Sequence, residues 1–210
     1  MSIINVLTAL LSKTDSLANA KAAMLHSPAL TKIMFFITNI GSTISMLVLS
    51  VLVIGFLAYK KRWQNICLFA AGMAGGLILE LLLKMLVHRV RPENSLINEV
   101  GYSFPSGHAT LAIIFFSLLI YIFRDDIKKE LWKHVFMISC IVLALLIGFS
   151  RIYLNVHWLS DVIGGFALGL LWLSITIAVS KVIFKNKKPT ENKDNIEKEN
   201  ETQESDNTNP

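Results

Sequence analysis

Five long apolar runs, separated by short polar segments, dominate the chain. They cover residues 42–59, 66–87, 109–123, 135–149 and 162–184. A helix needs roughly 20 apolar residues to cross the hydrocarbon core of a bilayer. The two shortest runs approach this length when residues 106–108 extend one and residues 150–153 extend the other. The pattern therefore predicts an all-α integral membrane protein with five transmembrane helices.

The first 40 residues have a weaker pattern and leave a sixth helix open. Residues 1–11 are apolar, but a helix of about 11 residues, at about 1.5 Å per residue, is too short to cross the core. This segment is either a truncated sixth transmembrane helix or an interfacial segment. Residues 12–39 alternate polar and apolar positions near the helical period, with a break at Pro28, and we interpret them as an interfacial helix.

Composition supports a membrane protein and defines three regions. Hydrophobic residues make up 53% of the 210 residues and charged residues 17%, against about 25% charged residues in soluble domains. Cys67 and Cys140 both lie within apolar runs and form no disulfide framework. We expect an N-terminal region at 1–40, a transmembrane domain at 41–184 that carries the candidate chemistry, and a disordered polar tail at 185–210.

The net charge of +5 indicates an orientation in the membrane. The basic residues cluster between apolar runs, at 60–62, 124–133 and 181–188. If consecutive helices alternate in direction, these segments share one side, and the positive-inside rule makes that side cytoplasmic. Orientation explains the charge better than nucleic-acid binding does. We expect a multi-pass cell-membrane protein with a cytoplasmic tail and with the loops at 88–107 and 150–158 outside.

The first candidate site segment combines Lys84 with Arg91-Pro92. A lone Lys84 near a helix end is explained as well by snorkelling to lipid headgroups or by pairing with Glu80 one turn earlier. Two cations at one outer helix end, where Pro92 stops the helix, instead favour an anionic ligand. For Arg89, which lies between them, contact with lipid headgroups is a sufficient explanation.

The second candidate segment is Pro105-Ser106-Gly107-His108, at the start of the third predicted span. It is consistent with a plain turn in which Ser106 caps the following helix. It is also consistent with an anion site, because the N–H groups in the first turn of a helix are free. His108 beside such a site is suited to exchange a proton near neutral pH.

The third candidate segment contains Ser150-Arg151, followed by His157 and Asp161. Residues four positions apart share one face of a helix. A carboxylate that accepts a hydrogen bond from one imidazole nitrogen leaves the other nitrogen free to attack an electrophile. Because a carboxylate at the mouth of a membrane span is costly unless it is paired, a functional role is favoured over a purely structural interfacial pair.

All three segments fall on the outer side under the topology inferred from loop charge. Together they supply cations, two histidines, a lone carboxylate and a glycine-containing helix start, but no cluster of carboxylates or cysteines for a metal. This inventory fits metal-free phosphoryl transfer, in which cations bind the equatorial phosphate oxygens. One histidine attacks phosphorus and the other protonates the leaving oxygen.

In order and spacing, the three segments resemble the motifs of the type 2 phosphatidic acid phosphatases, also called the PAP2/haloperoxidase superfamily. Those motifs are K-x6-R-P, P-S-G-H and S-R-x5-H-x3-D, and all three are present without a departure from Lys84 to Asp161. The resemblance implies a bundle of five to six transmembrane helices, with the active site at the outer membrane face.

The resemblance also implies a role for each matched position. His157 is the nucleophile that forms a phosphohistidine, and Asp161 orients it. His108 is the acid for the leaving oxygen and later the base for water. The phosphate-binding residues are Lys84, Arg91, Ser106, Gly107 and Arg151. Neither a metal nor another cofactor is expected to take part.

The leading functional hypothesis is a phosphatase that hydrolyses a phosphomonoester or a pyrophosphate of a membrane lipid. The small size resembles bacterial members that act on phosphatidylglycerophosphate, phosphatidic acid or undecaprenyl pyrophosphate. The alternative is a non-catalytic protein that binds or transports lipid phosphates on the same scaffold. A haloperoxidase of the same superfamily is disfavoured, because those enzymes are soluble and this chain has five predicted spans. Two glycine pairs, Gly72 with Gly76 and Gly165 with Gly169, permit close helix contacts either within the chain or in a homo-oligomer.

Overall fold

A computed structural model describes residues 3–185 of the chain, with side chains described for residues 11–184. Within this part the chain forms seven α-helices and no strand, which confirms the predicted all-α class. The helices are α1 (Ile3–Ala23), α2 (Pro28–Ile40), α3 (Thr43–Tyr59), α4 (Trp63–Val87), α5 (Gly107–Phe123), α6 (Glu130–Tyr153) and α7 (Leu159–Lys185). A short 3₁₀ turn at Arg124–Asp126 precedes α6. Residues 186–210 of the polar tail lie outside the described residues, so their expected disorder stays a prediction.

The predicted spans correspond to helices of the structure. Four helices, α4 to α7, are long and apolar enough to cross a membrane. Helix α5 reaches the required length when the 3₁₀ turn that follows it is included. The first predicted span corresponds to α3, which has only 17 residues and forms a fifth candidate span together with α2, from which it is bent by 52°. At this bend Ser42 caps α3, because its side chain accepts a hydrogen bond from the Ser45 N–H at 3.2 Å. Four of the five predicted spans are therefore present as single helices, and the fifth is present if the bent pair of α2 and α3 counts as one span.

Helix α5 lies at the centre of the bundle, in contact with α3, α4, α6 and α7. Its side chains Ile114 and Leu118 are fully buried. A Cβ atom at Gly72 would lie 2.9 Å from Leu118 Cδ1, and one at Gly165 would lie 2.7 Å from the Ser106 carbonyl oxygen. Glycine at these positions therefore lets α4 and α7 approach α5 closely, so the glycine pairs serve contacts within the chain.

The N-terminal region forms two helices. Helix α1 is continuous from Ile3 to Ala23, so residues 3–11 and the start of the segment interpreted as interfacial belong to one helix. Helix α2 begins at Pro28, where the break was predicted. Two polar residues of α1, Asp15 and Asn19, are only 1% and 8% exposed. The side chains of these two residues therefore face the rest of the protein.

Candidate active site

The three motifs meet at one end of the bundle, where α4 and α6 end and α5 and α7 begin. Backbone hydrogen bonds tie these segments together. The Ser106 N–H donates to the Asp161 carbonyl oxygen at 3.0 Å, and the Leu96 N–H donates to the Leu154 carbonyl oxygen at 3.0 Å. The structure thus brings the predicted site residues into one region.

His157 and Asp161 form the centre of this region. His157, in the turn between α6 and α7, and Asp161, in the first turn of α7, are both buried. His157 Nδ1 lies 3.5 Å from Asp161 Oδ2. The same carboxylate oxygen accepts hydrogen bonds from the Trp158 N–H at 2.9 Å and from the Ser103 hydroxyl. The carboxylate therefore faces Nδ1, and with the proton on Nδ1 the lone pair of Nε2 points away from Asp161.

Arg91 donates a hydrogen bond to Nε2, the second ring nitrogen of His157. Its Nη1 is 3.2 Å from His157 Nε2 and donates to the Val156 carbonyl oxygen at 2.9 Å. Its Nε donates to the Gly101 carbonyl oxygen at 3.0 Å. These two carbonyl groups fix the guanidinium beside Nε2, where it is placed to bind an anion that this nitrogen attacks.

Burial keeps His157 neutral. It lowers the pKa of His157 to about 4, and the positive charges of Arg151 and Arg91 act in the same direction. The hydrogen bond to Asp161 raises the pKa but does not offset the loss of hydration. At neutral pH the imidazole is therefore uncharged, and its Nε2 lone pair is available as a nucleophile.

Arg151, near the end of α6, places a second guanidinium at the site and is 1% exposed. Its Nη1 donates to Thr38 Oγ1 at 2.6 Å, and its Nη2 pairs with the Glu99 carboxylate. Glu99 Oε2 also lies 3.8 Å from Arg91 Nη2. Burial alone raises the pKa of Glu99, but the charge and hydrogen bond of Arg151 more than offset this effect and lower it. Glu99 is therefore ionised and binds both arginines, as an anionic ligand would.

The start of α5 offers free polar groups. Ser106 is the N-cap residue, yet its side chain makes no capping hydrogen bond. Among the described side chains, its buried Oγ has no hydrogen-bond partner, and neither has the buried Nε of Arg151. Such atoms are rare in protein interiors and call for an explanation, for example a water molecule or an ion. The alternative in which the Ser106 side chain caps α5 is thus wrong, and an anion site remains consistent with the structure.

Lys84 and His108 complete the set of predicted site residues. Lys84 Nζ forms an ion pair with the buried carboxylate of Glu80, which is one of the two explanations considered for a lone lysine. A Cβ atom at Gly107 would lie 2.7 Å from Glu80 Oε1, so a larger residue there would displace the Glu80 carboxylate that pairs with Lys84. His108, in the first turn of α5, lies within electrostatic range of Lys84 and His157.

The interpretation of Arg89 as a contact for lipid headgroups is wrong. Its Nη1 lies 2.6 Å from Asp161 Oδ1, and its Nη2 lies 2.6 Å from Asp15 Oδ2. Both carboxylates are buried, whereas the arginine side chain is 28% exposed. Because buried carboxylates require a countercharge, they hold this guanidinium against the protein.

Sequence analysis missed three further polar residues at the site, which are Thr38, Glu99 and Ser103. Each binds a motif residue that is between 52 and 113 positions away in the chain. Their local sequence surroundings do not distinguish them from other polar residues in loops and at helix ends. Only the contacts between distant segments identify them as part of the site.

A cavity adjoins the region on the side of α1, and of the predicted site residues only Arg91 lines it. This cavity of about 600 Å³, between α1 and the loop that follows α4, is lined in part by Asn19, Arg91 and Trp158. Within residues 11–184, no three side chains of the His, Cys, Asp and Glu types form a group that could hold a metal ion. The described site combines cations, a neutral imidazole and free hydrogen-bond donors, which are groups suited to phosphoryl transfer.

Comparison with known proteins agrees with this class of site. Residues 65–185 match the PAP2 superfamily, and the chain belongs to this family. It is 35% identical over 161 residues to phosphatidylglycerophosphatase B of Bacillus subtilis (strain 168), covering 75% of this chain and 78% of the relative. It is 29% identical over 145 residues to dolichyldiphosphatase 1 of Homo sapiens, covering 62% of this chain and 60% of the relative.

Solved structures show the same architecture. The crystal structure of a transmembrane PAP2-type phosphatidylglycerolphosphate phosphatase from Bacillus subtilis has a TM-score of 0.74 and 30% identity, over 86% of this chain and 89% of that chain. The crystal structure of Aquifex aeolicus LpxE, at 22% identity and a TM-score of 0.64 over 78% and 94% of the two chains, shows a likeness of fold alone. The predicted family is confirmed: the chain is a multi-pass membrane phosphatase, a hydrolase that acts on phosphate esters.

Proposed function

We propose that the chain hydrolyses a phosphomonoester or a pyrophosphate of a membrane lipid, and that His157 carries the phosphoryl group as a phosphohistidine. The observation that carries this proposal is the position of the imidazole, with Asp161 3.5 Å from Nδ1 and Arg91 3.2 Å from Nε2. One side of the ring is oriented by a carboxylate, while the other side faces a cation that suits a phosphate.

The phosphate binds among the cations and free donors of the site. The unpartnered Ser106 Oγ and Arg151 Nε support this placement, because both can donate hydrogen bonds to phosphate oxygens. When the phosphate binds, Glu99 loses part of its contact with Arg91 and Arg151, because the carboxylate and the phosphate compete for the same cations. The proposed phosphate-binding residues are Lys84, Arg91, Ser106, Gly107 and Arg151.

In the first step, the Nε2 lone pair of His157 bonds to phosphorus while the bond from phosphorus to the leaving oxygen breaks. The imidazole becomes positively charged, and the buried Asp161 carboxylate stabilises this charge from the Nδ1 side. His108 donates a proton to the leaving oxygen, which belongs to an alkoxide for a monoester and to a phosphate for a pyrophosphate.

In the second step, water attacks the phosphohistidine. His108, now deprotonated, takes a proton from the water as the water oxygen bonds to phosphorus. The bond between Nε2 and phosphorus breaks, and its electron pair returns to the imidazole. Inorganic phosphate leaves, His157 is neutral again and His108 is protonated for the next turnover.

A lipid substrate is proposed because the site lies at the end of an apolar helix bundle and because relatives carry lipid names. Two of these names specify a phosphatidylglycerophosphatase and a dolichyldiphosphatase, so a monoester and a diphosphate are both candidate substrates. Phosphatidic acid and undecaprenyl pyrophosphate belong to the same two chemical classes. Phosphate release from a panel of these lipids by the purified protein identifies the preferred class.

Inhibitors test the proposed chemistry. We expect phosphate release to survive excess EDTA, because arginine and lysine side chains take the role that a metal would have. Vanadate is expected to inhibit, because it adopts the five-coordinate geometry of phosphorus during transfer and binds where the transition state binds. Complete loss of activity with EDTA, restored by magnesium, would contradict the proposal.

The site is proposed to face away from the cytoplasm, and the polar tail to face the cytoplasm. The support is the cluster of basic residues at the opposite helix ends, in the loops at 60–62 and 124–133. A cysteine at the exposed Asn98, in a background free of native cysteines, is expected to react with an impermeant thiol reagent in intact cells. A cysteine at the exposed Lys128 is the matched control and should react only after lysis. The reverse pattern contradicts this orientation.

A further inference from the structure

Arg89 and Asp15 link α1 to the carboxylate that faces His157, and neither residue belongs to the three motifs. Arg89 Nη1 donates to Asp161 Oδ1 at 2.6 Å, and Arg89 Nη2 donates to Asp15 Oδ2 at 2.6 Å. Asp15 and Asp161 are 1% and 0% exposed. One guanidinium thus contacts two buried carboxylates, each of which requires a countercharge.

Further hydrogen bonds fix Asp15. Its Oδ1 accepts from the Ser160 N–H at 2.8 Å, and its Oδ2 accepts from the Ser160 hydroxyl at 2.7 Å. The hydroxyl oxygen of Ser160 accepts in turn from Arg89 Nη1 at 2.6 Å. The result is a closed network that joins α1 to the first turn of α7, one residue before Asp161.

The two oxygens of Asp161 have separate partners. Oδ2 faces His157 and accepts from the Ser103 hydroxyl and the Trp158 N–H. Oδ1 accepts from Arg89. A carboxylate that is bonded on both oxygens has a fixed rotation about its terminal bond. Without Arg89, Oδ1 would lose its charged partner, and the contact between Oδ2 and the imidazole would lose its fixed geometry.

We propose that Arg89 is a positioning residue that fixes Asp161 against His157, and that Asp15 acts through Arg89. Helix α1 is then a required part of the catalytic assembly and not only a packing element. The inference rests on the proposed function, because positioning of Asp161 affects turnover only if His157 is the nucleophile that it orients. Neither Arg89 nor Asp15 is assigned a contact with the substrate.

The first test measures kcat and KM of the full chain with a phosphate ester that the wild type hydrolyses. Arg89→Ala is expected to lower kcat by roughly 10–100-fold, by analogy with the loss seen when the hydrogen-bond partner of a metal-bound carboxylate or histidine is removed. KM is expected to change by less than about twofold, because the lost interaction affects the transition state and not substrate binding. Arg124→Ala, at the opposite end of the bundle, is the matched control and should keep the wild-type kcat.

Chemical rescue tests whether the missing charge is responsible. A cavity of about 240 Å³ adjoins this network and is lined in part by Asp15, Arg89 and Trp158. Guanidinium at non-denaturing concentration is therefore expected to enter and to restore part of the kcat of Arg89→Ala. Urea has a similar shape but no charge and should restore nothing. Neither additive should change the kcat of Arg124→Ala.

A double-variant cycle tests the role of Asp15. Asp15→Asn removes the charge with little change in size, and it should lower kcat less than Arg89→Ala does because Arg89 keeps its bond to Asp161. If Asp15 acts through Arg89, the double variant should be no slower than Arg89→Ala alone. If the fold loss in kcat of the double variant equals the product of the two single losses, Asp15 acts independently of Arg89, and this part of the proposal is overturned.

A wild-type kcat in folded Arg89→Ala overturns the role of Arg89, and so does a loss of kcat that guanidinium does not restore. If the alanine variant does not fold, Arg89→Lys and Arg89→Gln replace it. The lysine variant keeps the charge and should retain a higher kcat than the glutamine variant, whereas equal kcat values overturn the proposal. A wild type that hydrolyses no lipid phosphate would instead refute the proposed function, so the two failures are distinguishable.

Discussion

The two ends of the helix bundle carry the same kinds of charged side chains in opposite surroundings. At the end proposed to face the cytoplasm, Arg62 makes two hydrogen bonds of 2.7 Å to Asp126, and these side chains are 35% and 44% exposed. At the site end, Arg151 and Asp161 are almost completely buried. A solvated ion pair contributes only about 0–1 kcal/mol, whereas removal of one partner from a buried pair leaves an uncompensated charge.

This difference in solvent exposure indicates which charged residues serve the reaction. At the exposed end, water satisfies the charges, and their sign is sufficient to orient the protein in the membrane. At the site end, each buried carboxylate has a cation close by, as Glu80 has Lys84 and Asp161 has Arg89. Such a cluster is costly at the mouth of a membrane span, which favours a functional reason for it. Matched substitutions at the two ends test this distinction.

The largest contrast is expected between two histidines. His157→Ala removes the proposed nucleophile and should lower kcat by more than about 10⁴-fold for every substrate. The side chain of His134, at the opposite end, is 67% exposed, and His134→Ala should keep the wild-type kcat. Steady-state phosphate release by the two purified variants measures the contrast. Substantial turnover by His157→Ala would contradict the role of His157 as the nucleophile.

His108 should show a loss that depends on the leaving group. A lipid alkoxide is a strong base and needs a proton, whereas p-nitrophenolate leaves readily without one. His108→Ala should therefore lose about 10²–10⁴-fold on a lipid monoester and much less on p-nitrophenyl phosphate. Single-turnover release of alcohol or p-nitrophenol reports the first step alone. Equal losses on both substrates would remove His108 from the role of general acid.

A smaller effect is expected from Glu99, which competes with the phosphate for Arg91 and Arg151. Because Arg151 is only 1% exposed, Glu99→Gln leaves a buried cation that an anion can compensate, and it should tighten inhibition by vanadate by roughly fivefold or more. Glu130, whose side chain is 71% exposed at the other end, provides the control Glu130→Gln, which should leave inhibition unchanged. Weaker inhibition of the Glu99 variant would show that Glu99 supports anion binding.

The smallest effect on activity and stability is expected for the exposed ion pair of Arg62 and Asp126. Arg62→Ala and Asp126→Ala should each leave the free energy of unfolding nearly unchanged, because both groups are well solvated. Their kcat values should equal that of the wild type. Unfolding in detergent micelles, followed together with phosphate release, measures both quantities. A large loss of activity in either variant would mean that the two ends are coupled.

Local sequence pattern accounts for much of the fold and for the centre of the site. The spans follow from the length of apolar runs, which is a local property. His157 and Asp161 are four positions apart, and Lys84 lies one helical turn after Glu80, so local geometry brings each pair together. The convergence of the motifs was expected from topology, because the same side of the membrane holds the loops that contain them.

Contacts between distant segments account for what sequence analysis missed. Asp15 and Ser160 are 145 positions apart, and nothing in the pattern of α1 marks Asp15 as buried. A polar residue on an interfacial helix and a polar residue that binds a distant arginine have the same local surroundings. For the same reason, the sequence around Arg89 is explained equally well by lipid headgroups and by the buried carboxylates that it contacts in the structure.

Trapping of the phosphoenzyme tests most directly whether His157 carries the phosphoryl group. His108→Ala with p-nitrophenyl phosphate is the best system, because the leaving group needs little help while loss of the base slows hydrolysis of the intermediate. The reaction is stopped in alkali, in which phosphohistidine is stable, and the digested protein is analysed by mass spectrometry. The account predicts a phosphoryl group on the peptide that contains His157, and none in the double variant His108→Ala/His157→Ala. A phosphoryl group on another residue, or no covalent phosphate in either protein, would contradict the account.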